Sequence, residues 1–170
     1  PTILFALYFR NVVVADARQA DALWGLTAAA ALIISGLVAP WVGARADMRG
    51  SRLRWLTLAT ALCGSATAAM AFMRPGQILL AACIFIAAQA GYTVAMALYD
   101  AYLTRVSAAR NAGRVSALGW SAGFVGGAVA LVVCIVLLQG TEVSADRRYT
   151  IGFIVVAAMM ALAAVPAIVG

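Results

Sequence analysis

Five stretches of this chain, residues 22–42, 55–73, 78–99, 115–138 and 150–169, run for about twenty residues each with almost no charge. That length suits a helix crossing the roughly 30 Å hydrocarbon core of a bilayer. No Asp, Glu or Arg stands at the centre of any of them. A backbone in lipid has no water to bond, and a helix satisfies its amide groups internally. The chain therefore reads as an all-α integral membrane protein. Composition agrees: it is 65% hydrophobic and 11% charged, with a mean hydropathy of +1.00. Soluble domains hold about 45–50% apolar and 25% charged residues. A secreted disulfide scaffold, a nucleic-acid-binding domain and a disordered tail are excluded on that ground.

A sixth apolar segment opens the chain. PTILFALYF is too short to cross, has no basic stretch before it and no small-residue cleavage site after it. It therefore reads as the end of a first span rather than the core of a signal peptide. The expected spans are 1–14, 22–42, 55–73, 78–99, 115–138 and 150–169, the first truncated, with the chain a fragment at its start.

Charge sets the expected orientation. All 12 basic residues are arginines, against 6 acidic ones. Between the second and third spans, Arg45, Arg49, Arg52 and Arg54 outnumber Asp47, a net of +3. Between the fourth and fifth, Arg105, Arg110 and Arg114 face Asp100, a net of +2. On the opposite side, Asp16, Arg18 and Asp21 net −1, or zero with Arg10. Arg74 adds +1 there, and Glu142, Asp146, Arg147 and Arg148 cancel. The positive-inside rule places the two Arg-rich loops, and both ends of the bundle, in the cytoplasm. An Arg-only, Ala-rich chain suggests a GC-rich bacterial gene and hence a plasma membrane.

No enzyme is expected. The chain has no His, and no nucleophile, acid and base cluster at one depth. Cys63, Cys83 and Cys134 lack any metal-ligand spacing and read as small packing residues, so no metal or cofactor is expected. Without an ionisable group in mid-span, a proton relay has no visible carrier.

Three spans carry patterns. In the fifth, Gly119, Gly123 and Gly127 recur every four residues with Gly126 beside them, a face suited to close helix packing, static or rocking. In the second, Thr27, Ala31, Ser35, Ala39 and Gly43 repeat that interval, and Pro40 is placed to bend the inner end. In the fourth, Gln89, Thr93, Met96 and Asp100 share a face with Tyr92. Gln89 sits near mid-span, where an amide needs a partner: an interhelical hydrogen bond or a water-filled cavity. Asp100 is expected to pair with loop arginines. The sixth span is almost wholly apolar and reads as a peripheral helix facing lipid.

The loop from Gly43 to Arg52, with Asp47 and Gly50 between, resembles the signature after the second span of the major facilitator superfamily. Met48 and Ser51 stand where that family often has arginine. A longer stretch resembles the vacuole effluxer-like branch, which includes autophagy-related amino-acid effluxers. It comprises Gly91-Tyr92, Tyr99, Leu103, Gly113-Arg114-Val115-Ser116, Gly119-Trp120, Gly123 and Gly126-Gly127. Asp100 and Thr104 replace the branch's usual Asn and Pro. The resemblance implies the amino-terminal six-helix bundle of a twelve-helix transporter, with the carboxy-terminal half missing. It implies a gating loop at Gly43, Asp47, Gly50 and Arg52, and a small solute, by analogy an amino acid, moved outward. Gln89, Tyr92, Thr93 and Trp120 are the candidate substrate-cavity residues. The competing reading is a non-transporting six-helix scaffold or oligomerising membrane protein, with the glycine ladder as its interface.

Overall fold

The computed structural model describes residues 2–14, 17–106, 112–139 and 145–169. Asp16, Arg110 and Glu142, counted in the loop charges, lie outside the described residues, as do the side chains of Arg18, Leu103, Thr104, Arg105, Val115 and Asp146. Helices account for nearly all of what is described, and no strand occurs among these residues. Helix α1 is Thr2–Tyr8, prolonged by one wide π-helical turn, Phe9–Val13. It is followed by α2 (Ala17–Met48), α3 (Arg52–Ala69, with a tight turn Met70–Phe72), α4 (Ile78–Val106), α5 (Ala112–Gln139) and α6 (Ala145–Val169). Among the described residues, four stretches are long and apolar enough to cross a membrane: Gln19–Met48, Arg52–Phe72, Ile78–Tyr102 and Ser116–Val136. The molecule is an all-α membrane bundle.

Helices α2 and α4 extend past their apolar runs. Residues 43–48, expected as loop, continue α2 beyond Pro40, because alanines and arginines are good helix formers whose polar ends reach water. The helix then stops at a glycine. Ser51 N–H bonds the Ala46 carbonyl and Gly50 N–H bonds that of Asp47, both at 3.2 Å. Gly50 takes φ +61°, the left-handed conformation that closes this helix end. At the other end of the bundle, the Pro75-Gly76 turn has φ +84° at Gly76, whose N–H bonds Val13 O at 3.1 Å. That bond ties the α3–α4 turn to the end of α1.

The core is aromatic where α1, α2 and α4 meet. Phe5 stacks on Phe85 at 4.7 Å between ring centroids, and Trp24 meets the same Phe85 edge-on at 5.0 Å. Tyr8 lies edge-on to Tyr149 and Phe153 of α6, and its hydroxyl donates to Met73 O at 2.9 Å. In lipid, helices gain little from burying apolar surface, so such shaped contacts and buried hydrogen bonds carry the association. A second, smaller core of Val42, Ala46, Ala59, Val94 and Leu98 joins α2, α3 and α4 at the Arg-rich end.

The outer helices differ in how much they are covered. Helix α6 packs one face on α3, α5 and the end of α1, burying Tyr149, Gly152, Phe153 and Val156, while Ile151, Ile154 and Leu162 stay exposed on its other sides. Which face is covered is not legible in the sequence, because an apolar helix surface looks alike against lipid and against protein. Helix α5 is the uncovered one. Only 6% of Ser116–Val136 is buried, against 39% of Arg52–Phe72.

Candidate functional site

At the Arg-rich end, the turn after α2 positions a clamp. Arg52, the first residue of α3, donates from Nε to Asp47 Oδ1, and from Nη1 to the Ala101 carbonyl of α4 at 2.9 Å. One guanidinium thus joins the end of α2, the start of α3 and the last turns of α4. Its fork geometry allows two acceptors at once. The Arg52 side chain is largely covered while Asp47 is half exposed. Gly43 sits inside α2 beside open space. Nearby, the Arg45 guanidinium lies 4.6 Å from the centre of the Trp41 ring, a cation–π contact suited to the membrane–water boundary. Asp100 is exposed and pairs with no described arginine; the neighbouring backbone carbonyl receives Arg52 instead.

The polar stripe of α4 stays mostly within its own helix. Thr93 Oγ1 donates to Gln89 O at 3.0 Å, one turn back. The Gln89 amide, half-buried, has no hydrogen-bond partner among the described residues, so the expected interhelical bond is absent there. Tyr92 is 46% exposed, and Trp120 of α5 is 45% exposed with its ring tilted against Phe124 at 6.1 Å. The four candidate cavity residues present polar and aromatic groups along exposed or half-exposed faces of α4 and α5.

The glycine ladder of α5 is equally open. A Cβ added at Gly123, Gly126 or Gly127 would meet nothing within 4 Å among the described residues. At Gly119 it would come 2.5 Å from the Tyr99 hydroxyl. The tight small-residue contact lies elsewhere, at Gly91 of α4. A Cβ there would sit 2.9 Å from Ala59 O and from Cys63 N of α3. Sequence reasoning missed this point. Its signal was the run of small residues at Ala59, Cys63 and Thr67 on α3, spaced by four and facing a lone glycine.

A groove of about 340 Å³ opens between α3, α4 and α6. Leu56, Thr60 and Cys63 line one wall and Tyr92, Met96 and Tyr99 the other, and α6 closes it with Met160 and Ala163. Its surface is mainly apolar, and its described walls include Tyr92 but neither Gln89, Thr93 nor Trp120.

Comparison with known proteins adds one likeness. The chain is 26% identical over 175 aligned positions to YxiO of Bacillus subtilis (strain 168), described as an uncharacterized MFS-type transporter. The alignment takes in 98% of this chain and 41% of that protein, so the chain spans less than half the length of the relative it matches. No protein-family model matches the chain, and no solved structure matches it.

Proposed function

We propose that this chain is the amino-terminal bundle of a major facilitator transporter, moving a small solute by rocking against a second six-helix bundle. The observation that carries the reading is the Arg52 clamp. A loop at the helix ends, held by one guanidinium to both Asp47 and the Ala101 carbonyl, couples three helices at the place where a gate must open and close. Alternating access places the solute at the interface of two repeats, near mid-bilayer. In this reading α2 and α5, which leave Leu32, Leu37, Phe124 and Val132 uncovered, face that second bundle, the missing partner. Gln89, Thr93, Tyr92 and Trp120 contribute to the solute cavity. By resemblance to the vacuole effluxer-like branch, the solute is an amino acid moved outward. Both ends of the bundle lie in the cytoplasm of a bacterium.

The test is counterflow with full-length protein reconstituted in vesicles, using a panel of labelled amino acids. Uptake of one of them, lost in Asp47→Asn, is the expected result. No counterflow with any member removes the amino-acid assignment. If the reading frame ends at Gly170 with no second six-span segment nearby, the single-chain transporter reading fails.

A further inference from the structure

We propose that the groove between α3, α4 and α6 seats one acyl chain of an anionic phospholipid from the leaflet at the Arg-rich end. This inference rests on the protein lying in a bilayer and not on its moving a solute. Depth comes first. The walls run from Leu56 to Cys63 on α3 and from Tyr92 to Tyr99 on α4, eight residues and seven rises each. At 1.5 Å per residue that is about 10 Å, most of the roughly 15 Å that one leaflet contributes to the hydrocarbon core. The groove therefore begins near the headgroups and reaches about mid-span, at Cys63 and Tyr92.

Chemistry comes second. Apolar cavities stay dry, and one of about 150 Å³ takes benzene. This groove, at about 340 Å³, is more than twice as large; leucine, alanine, methionine and cysteine side chains line it beside two threonines and two tyrosines, and its surface is mainly apolar. Methionine adapts to a flexible guest, and Met96 and Met160 face the groove from opposite helices. On a surface so largely apolar a polar solute would leave most of its hydrogen bonds unmade, whereas a lipid chain has none to lose.

The rim decides the headgroup. Arg49, Arg54 and Arg114 are exposed at this end and form no ion pair among the described residues, against the single exposed carboxylate of Asp100 and the Asp47 that Arg52 engages. Juxtamembrane arginines attract anionic headgroups.

The experiment uses full-length protein in phosphatidylethanolamine vesicles containing a trace of phosphatidylglycerol with a diazirine midway along one acyl chain. After irradiation, adducts are mapped by mass spectrometry. Residues 56–63 and 160–163 are expected to be labelled about fivefold over the exposed Ile151 and Ile154 of α6, and the same probe on phosphatidylethanolamine to label them about fivefold less. Thr60→Phe and, separately, Ala163→Phe should abolish that excess without altering the labelling of Ile151 and Ile154. Equal labelling of the groove and of Ile151 and Ile154 in the unmodified protein overturns the proposal, whatever the variants do. Equal labelling by the two lipids overturns the anionic headgroup. A folded filling variant that labels like the parent overturns the assignment to this groove. Absence of counterflow with labelling intact would remove the amino-acid assignment alone.

Discussion

Gly91 sets how closely α3 and α4 approach. Any side chain there meets the α3 backbone at 2.9 Å, and backbone in a packed helix cannot turn aside as a flexible side chain can. Gly91→Ala should therefore force the helices apart and cost about 1–3 kcal/mol. Gly123→Ala, which meets nothing, should be neutral or slightly stabilising because alanine is the better helix former. Thermal unfolding of both variants in the same detergent checks the contrast. Arg52 acts through its fork. Arg52→Gln should slow transport in the full-length protein while shifting stability by no more than about 1 kcal/mol, since its partner Asp47 is half exposed. Arg52→Lys should not restore the rate, because one ammonium on a flexible stem does not reproduce the planar fork that reaches both Asp47 and the Ala101 carbonyl. Initial rates of counterflow measure this.

At the scale of elements, α5 is the least covered of the candidate spans. Its glycines recur every four residues as close packing requires, yet three of them face open space. Gly123→Leu is expected to leave this bundle folded, with unchanged helical circular dichroism, and to lower transport by the full-length protein strongly. Unchanged transport would assign the ladder to a lipid-facing surface. The short helix α1 is the opposite case: its Phe5, Tyr8 and Phe9 are among the most buried side chains, although α1 with its π-helical turn is too short to span. Phe5→Ala should destabilise the bundle by about 3–5 kcal/mol, read as a lowered unfolding midpoint in detergent.

At the scale of the whole molecule, orientation is the quantity to measure. With Cys63, Cys83 and Cys134 replaced, Gln77→Cys should react with a membrane-impermeant maleimide in intact cells. Met48→Cys should react only after permeabilisation. Both positions are exposed, so reversed reactivity would place the Arg-rich loops outside and remove the positive-inside assignment.

The sequence by itself determined the class of the protein, because length and continuity of apolar residues leave a chain in lipid little choice but helices. Its basic loop drew attention to Gly43, Asp47, Gly50 and Arg52 through a family resemblance, but that Arg52 bonds Asp47 came only with the structure. Only the tertiary structure decided which faces are covered. Hydrophobicity ceases to report burial once lipid is the solvent, so the apolar α6 proved packed along one face only and the glycine-rich α5 bare. The Gly91 contact, the Ala101 end of the Arg52 clamp and the groove beside Tyr92 each join residues distant in the chain, and local spacing does not encode such meetings.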